Sequence, residues 1–223
     1  MILAAGYGKR LRPLTDKMPK PMVPVNGKPL LQYHLEHLAA ADIRELVINT
    51  SWLGGQIEEY FGDGSHYGVT IEWSREAEPL ETGGGIYQAL PLLGSEPFVL
   101  LNGDIWSDYS FSRLSGFVLG DDCDAHLVLV PNPEHHVEGD YAIGMSERVE
   151  SLGGAGLSYT FSGISVIAPA MIKAYRSSSR AFPLRDVLQQ SINKGRVTAE
   201  VFHGYWCDVG TPGRLHELRQ RVS

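Results

Sequence analysis

At 223 residues, 43% hydrophobic and 20% charged, the chain has the size and balance of one large α/β domain or two small ones. Its net charge of −7 excludes a general nucleic-acid binder, and two cysteines, Cys123 and Cys207, are too few for a disulfide framework. No apolar run approaches the roughly 18 residues that a membrane span needs, and Gly6 and Lys9 interrupt the N-terminus too early for a signal peptide. A reduced, cytoplasmic protein is therefore expected.

Met1 to Ala5 reads as an apolar opening strand. Because it starts at residue 1, a few residues of its true beginning are expected to be missing. Leu31, Leu35 and Leu38 share one face, and Pro29 suits a first turn, so a helix is predicted from about Pro29 to Ala41. Leu46 to Ile48 is the next strand. Ile57, Tyr60 and Phe61 mark a helix ended by Gly62, and Val69 to Trp73 reads as a strand. Phe98 to Leu101 is a continuous apolar run, as expected of a strand buried on both faces. Leu127 to Val130 follows as a strand, residues 141 to 167 as an antiparallel excursion, and Pro183 to Asn193 as a helix. Val197 to Phe202 and Tyr205 to Val209 are the closing strands. Thr211 and Pro212 then make an N-cap and first turn for a last helix. This alternation predicts an α/β fold with a mixed, mostly parallel central sheet and helices on both faces.

Charge is uneven along the chain. Residues 9 to 28 carry six bases (Lys9, Arg10, Arg12, Lys17, Lys20, Lys28) against one acid, Asp16, whereas the remainder carries 13 bases against 25 acids. A local cationic patch on an acidic chain points to a small anionic ligand. The segment Leu3-Ala4-Ala5-Gly6-Tyr7-Gly8-Lys9-Arg10 lacks the third glycine of a dinucleotide fingerprint and the Gly-Lys-Ser/Thr end of a P-loop. A strand followed by a wide glycine turn, with backbone amides lining an anion cavity, uses every residue. Gly6 and Gly8 allow close backbone approach, Arg10 offers a planar fork, and Lys20 sits between two prolines on a stiff segment. The glycine pair alone also fits a plain tight turn.

The pattern Leu-Ala-Ala-Gly-x-Gly-x-Arg-Leu-x-Pro-x-Thr over residues 3–15, then Pro19-Lys20-Pro21, resembles the signature of the sugar-1-phosphate nucleotidylyltransferases. The likeness continues through Gly27-Lys28-Pro29-Leu30, Asn102-Gly103-Asp104 and Asp208-Val209-Gly210-Thr211, in the family's order. The stretches 78–85 and 160–164 resemble its uridylyl-transferring members in particular. The resemblance implies a Rossmann-like nucleotide-diphospho-sugar transferase fold as one domain over residues 1–223. A nucleotide-binding part would span about residues 1–110 and a sugar-binding part about 111–210. It implies Arg10 and Lys20 as catalytic residues. Leu3, Ala4, Ala5, Gly6, Gly8, Lys9, Arg10, Lys20, Glu81, Thr82 and Gly83 would bind nucleotide. Asn102, Gly139, Asp140, Ser162 and Gly163 would contact the sugar, and Asp104 and Asp208 would hold Mg²⁺. The implied partners are a nucleoside triphosphate, UTP favoured, and a sugar 1-phosphate, with the protein a monomer or small homo-oligomer. Where hexose-specific relatives carry Glu-Lys-Pro, this chain has Ser146-Glu147-Arg148-Val149, which suits a larger or acidic sugar better than glucose or mannose. The chain stops soon after its last helix, so transfer activity alone is expected, without an acyltransferase β-helix.

Residue by residue, simpler roles stay open. Asp104 and Asp208 also fit capping positions, and Glu81 to Gly85 reads as a glycine turn or as a helix start capped by Thr82. A phosphomonoester is largely dianionic at neutral pH, so it needs no general base, and no histidine is expected to carry a proton. His135 and His136 read as a solvated loop, His34 and His37 as packing or surface residues on the first helix. Cys207 reads as a small buried apolar residue, and Asp108 as too far from Asp104 for an Asp-x-Asp pair.

Overall fold

The protein is described by a computed structural model covering residues 1–144, 146–153 and 157–222. The elements run β1 (Ile2–Leu3), β2 (Pro24–Val25), β3 (Lys28–Pro29), α1 (Leu30–Ala40), β4 (Glu45–Thr50), α2 (Gly54–Phe61), β5 (Thr70–Arg75), α3 (Glu81–Leu93) and β6 (Phe98–Asn102). They continue β7 (Ile105–Ser107), β8 (Ala125–Val130), β9 (Tyr141–Ile143), β10 (Val149–Ser151), β11 (Ser158–Ile167), α4 (Pro169–Ala174), α5 (Leu184–Asn193), β12 (Val197–Val201), β13 (Trp206–Asp208) and α6 (Pro212–Val222).

Among the described residues the main sheet runs β12-β8-β11-β6-β1-β4-β5. Here β4-β1-β6, β4-β5 and β8-β12 pair in parallel, while β11 runs against both its neighbours. The antiparallel pair β9-β10 extends from the first residues of β11. Of the excursion expected over 141–167, residue 145 and residues 154–156 lie outside the described ones.

Strand side chains alternate between two cores, as the pleat requires. Val47, Leu100, Leu127 and Leu129 face α3, α4 and α5. Ile2, Leu46, Ile48, Leu101, Val128 and Ile164 face α1 and α2. The sheet is thus covered on both faces, which is why β4, β6 and β8 read as unbroken apolar runs.

Two sequence expectations needed revision. The opening strand is only Ile2–Leu3, because the Ala4 amide turns to the side-chain oxygen of Asn49, 2.7 Å away, instead of a neighbouring strand. The segment expected as a last sheet strand, β13, pairs antiparallel with β7 in a separate two-stranded ribbon. A third, smaller cluster of Leu11, Val23, Val25, Leu30, Val209, Leu215 and Leu218 seals α6 against the N-terminal loop. No helix among the described residues is long and apolar enough to cross a membrane.

Candidate active site

Ligands of an open α/β sheet gather beyond the carboxyl ends of its strands. Here β1 ends in the glycine-rich loop and β6 ends in Asn102-Gly103-Asp104. The two meet because the Gly103 amide donates to the Leu3 carbonyl at 2.9 Å. A side chain at 103 would have its Cβ 2.7 Å from that oxygen, so glycine is required for the approach.

Past Ala5 the chain is a broad turn followed by three single 3₁₀ turns, Lys9–Leu11, Leu14–Asp16 and Lys20–Met22. Gly8 sits at φ +61, and a Cβ there would press within 2.8 Å of Thr15 and 3.3 Å of the Lys20 Cβ, so this glycine is structural. Gly6 is the opposite case. Its Cβ would meet nothing within 4 Å, leaving backbone open to a ligand. Among the described residues the amides of Gly6 through Arg10 make no hydrogen bond to protein, the arrangement an anion nest needs.

Lys20 is held nearly buried on its stiff turn and donates to the Asp104 carboxylate at 2.5 Å. The ribbon brings in the second aspartate: Asp208 lies opposite Ile105, and the Val209 amide donates to the Asp104 carbonyl at 2.8 Å. Asp208 in turn accepts from Arg214 Nη1 at 2.5 Å. A Cβ at Gly210 would lie 3.0 Å from Asp208 Oδ2, 2.4 Å from Arg214 Nη2 and 3.1 Å from Arg10 Nη2, so three charged side chains converge on one point. His135 Nε2 accepts from Arg214 Nη1 at 2.5 Å and lies 3.2 Å from Asp208 Oδ1. His135 is exposed, as the solvated-loop reading expected, and the 3₁₀ turn Glu134–His136 additionally brings its ring to the edge of the second aspartate. His136 instead meets Asp140 at 3.1 Å.

Beside Lys20 and Asp104 opens a cavity of about 400 Å³. Leu3, Ala4, Ala5, Gly6, Lys20, Glu81, Thr82, Asn102 and Asp104 line it, joined by Tyr7, Pro21, Asn49, Glu76, Pro79 and Gly103. Its far wall is the first turn of α3. Of the two readings open for Glu81 to Gly85, the helix start is the observed one, but Leu80 and not Thr82 stands at the N-cap; the Thr82 hydroxyl accepts the Leu184 amide at 2.8 Å. Close packing explains the three glycines. A Cβ would lie 2.5 Å from Phe182 at Gly83, 2.3 Å from the Arg180 carbonyl at Gly84, and 2.6 Å from Glu76 Oε1 at Gly85.

Glu76 and Asn49 form the buried back of this wall. Asn49 Nδ2 donates to Glu76 Oε1 at 2.6 Å, and Glu76 Oε2 accepts the Leu80 amide at 2.8 Å. Burial raises the Glu76 pKa, against the opposing pull of those two donors. Neither residue was singled out from sequence, although both stand at or just past the ends of parallel strands, like Asp104.

The acceptor-side residues are less uniform. Gly163, at φ +82, packs against Asn102, where a Cβ would come within 2.7 Å of the amide nitrogen. Asp140 accepts the Phe161 amide at 2.9 Å, and Gly139 makes its turn at φ +70. The Ser162 hydroxyl is buried, donating to the Val128 carbonyl at 2.6 Å and accepting the Ile164 amide at 3.1 Å, so it is committed to the β11 irregularity. Lys9 is exposed, with its ammonium 5.4 Å from the Tyr7 ring. Burial raises the Cys207 thiol to about 11, which leaves it protonated and unreactive as expected.

Three cations, Lys20, Arg10 and Arg214, and two carboxylates beyond the strand ends, beside a nest of free amides, form a site for phosphate chemistry. The nucleotidyl transferase family profile matches residues 1–223. The chain belongs to the nucleotidyl transferase family. An N-acetylmuramate alpha-1-phosphate uridylyltransferase of Neisseria meningitidis serogroup B is 48% identical to this transferase over 98% of the chain and 96% of that protein. A D-glycero-alpha-D-manno-heptose 1-phosphate guanylyltransferase of Campylobacter jejuni is 31% identical over 95% and 94%. A mannose-1-phosphate guanylyltransferase of Mycobacterium tuberculosis is 32% identical, and the match spans 95% of this transferase and 61% of that protein. In fold, the transferase superposes on HddC from Yersinia pseudotuberculosis with a TM-score of 0.82 and 24% identity, over 100% of this chain and 98% of that one.

Proposed function

We propose that this transferase moves the uridylyl group of UTP onto N-acetylmuramate 1-phosphate, giving UDP-N-acetylmuramate and pyrophosphate in peptidoglycan recycling. The full-length likeness to the Neisseria meningitidis enzyme carries the choice of base and sugar. The replacement of Glu-Lys-Pro by Ser146 to Val149 favours the same choice over glucose or mannose.

The nucleotide occupies the cavity formed by residues from the first 110. Its base and ribose lie toward Glu81, Thr82 and Gly83, and its triphosphate toward Gly6, Gly8, Lys9 and Arg10. The acceptor enters from the half built by residues 111–210, near Asn102, Gly139, Asp140 and Gly163. Both substrates are polyanions, so the reaction needs alignment and charge neutralisation more than proton transfer. An acceptor phosphate oxygen attacks the α-phosphorus, the α–β bridging bond breaks, and pyrophosphate leaves with its charge held by Arg10 and the loop amides. Lys20 stabilises charge around the α-phosphate.

Asp104 and Asp208 fit a Mg²⁺ site in donor chemistry. They are hard oxygen ligands, Asp104 in the turn before β7 and Asp208 at the end of the paired β13, and each is held by a cation, Lys20 or Arg214. Two carboxylates would leave the remaining positions of such an ion to phosphate oxygens and water. When bound, the ion supplies further charge neutralisation to the transferred phosphate.

The test is a panel of UTP, dTTP and GTP against N-acetylmuramate, glucose and mannose 1-phosphates, read by pyrophosphate release. The highest kcat/KM is expected for UTP with N-acetylmuramate 1-phosphate. A clear preference for thymidylyl or guanylyl transfer to a hexose would overturn the substrate assignment, and no turnover with any pair would favour a nucleotide-binding module.

A further inference from the structure

We infer that Arg214, steadied by His135, binds the phosphate of the entering sugar 1-phosphate. The inference rests on the transfer reading above and gives Arg214, which that reading uses only to hold Asp208, a direct contact with substrate.

Arg214 stands in the first turn of α6, six residues after Asp208. Its side chain is only 14% exposed, so its guanidinium is placed rather than free in solvent. Asp208 Oδ1 and His135 Nε2 fix one of its nitrogens, and the Thr211 hydroxyl lies 3.4 Å from Nε. The Arg10 guanidinium approaches the same point beside Gly210. Two guanidinium groups and one carboxylate, Asp208, thus gather around the same point. Like charges so close repel unless anions join them, and the reaction brings phosphates to this place.

The two arginines serve different substrates because they come from different sides. Arg10 belongs to the loop whose amides form the anion nest, so its anion is the triphosphate. The nucleotide cavity is bounded by Lys20 and Asp104 but by none of Asp208, Arg214 and His135. That trio lies beyond Asp104. His135 also belongs to the segment that leads to Gly139 and Asp140, on the acceptor half. An acceptor phosphate on this side can offer one oxygen to the α-phosphorus while Arg214 grips the other two, the bidentate geometry a planar fork favours. One P–O bond forms, the α–β bridging bond breaks, and Arg214 moves no proton.

The experiment compares Arg214→Ala, Arg214→Lys and His135→Gln with the parent, using the triphosphate and sugar 1-phosphate pair the parent turns over best. For Arg214→Ala the acceptor KM should rise by roughly tenfold or more, as for loss of a charged hydrogen bond, with the triphosphate KM within about twofold. Arg214→Lys should recover part of the loss, since it keeps charge without the fork. His135→Gln should raise the acceptor KM by a few-fold with kcat retained. Calorimetric binding of the sugar 1-phosphate alone should weaken in the same order, with melting curves reporting the fold. A triphosphate KM that rises as much as the acceptor KM overturns the inference. So does full rescue by added Mg²⁺, which would mean that Arg214 only holds Asp208. If the alanine variant does not fold, an unchanged acceptor KM in Arg214→Lys and His135→Gln overturns it as well. A parent that prefers another pair revises the substrate assignment and leaves this comparison standing. If the parent turns over nothing, the transfer reading fails, and unweakened calorimetric binding in the variants overturns the Arg214 role separately.

Discussion

Lys20 shows how much placement a single side chain can require. Flanking prolines stiffen its turn, Gly8 packs against its Cβ, and Asp104 holds its ammonium. Lys20→Ala should lower kcat by roughly 100-fold or more while nucleotide still binds, because the lost interaction acts chiefly on the transition state. Single-turnover kinetics with a parallel nucleotide titration separate the two; equal losses in both would contradict it. His34 is a different case. It is buried on α1, and burial lowers its pKa to about 4, so the folded protein keeps it neutral. An unfolded histidine titrates near 6.5 and binds a proton first, so stability is whole above about 6.5 and falls as pH drops toward 4. The contribution is at most about 3 kcal/mol at pH 4 and below, at about 1.4 kcal/mol per unit. In urea melts between pH 7 and 4.5 the parent should lose stability relative to His34→Leu as pH falls; a difference that stays constant with pH would disprove the assignment.

At the scale of elements, the start of α3 carries the sharpest constraint. Three consecutive glycines weaken a helix by about 1 kcal/mol each relative to alanine. Gly85→Ala would recover that amount but drive a methyl between Glu76 and Asn49, breaking the buried pair that positions Leu80. Overpacking of this kind costs about 1–3 kcal/mol, so the variant should melt lower than the parent and bind triphosphate more weakly. Thermal melts and calorimetry check both; a stabilised variant with intact binding would refute the packing argument. The same region shows where sequence reading reaches its limit. Helices α1, α2 and α5, and strands β4, β6 and β8, were legible because burial on one or two faces imprints a period on the residues. Asp104 and Lys20 were legible because strand ends and prolines leave local marks. The triglycine left a turn and a helix start both open, because what it packs against, Phe182 and the Arg180 carbonyl, lies about 100 residues away in sequence. Asn49, Glu76 and Arg214 were missed, and the contact of His135 with Asp208 was not foreseen, for the same reason: only the folded chain brings them to the strand ends. Thr211 was read correctly ahead of α6, but the arginine three residues later carries no local sign of facing Asp208.

For the molecule as a whole, α6 joins the last residues to the first loop. Leu215 and Leu218 pack with Leu11, Val23 and Val25, while Arg219 Nη2 donates to the Pro24 carbonyl at 2.6 Å and Asn26 Nδ2 to the Arg219 carbonyl at 3.0 Å. Leu218 is fully buried, and Leu218→Ala should cost about 2–5 kcal/mol. Because the cavity it opens lies behind the phosphate loop, triphosphate KM should rise as well. Denaturant melts and steady-state kinetics read the two effects, and a stability loss with unaltered KM would show that the loop holds its shape without α6.

This end-to-start clasp also sets a schedule during synthesis. Chains emerge N-terminus first, at roughly 5–20 residues per second, and begin folding as they do. The glycine-rich loop leaves the ribosome roughly 200 residues ahead of Asp208, Arg214 and α6. A nascent chain therefore exposes Leu11, Val23 and Val25 until Leu215 and Leu218 arrive to cover them, and the cluster of Arg10, Asp208 and Arg214 closes only once α6 has docked.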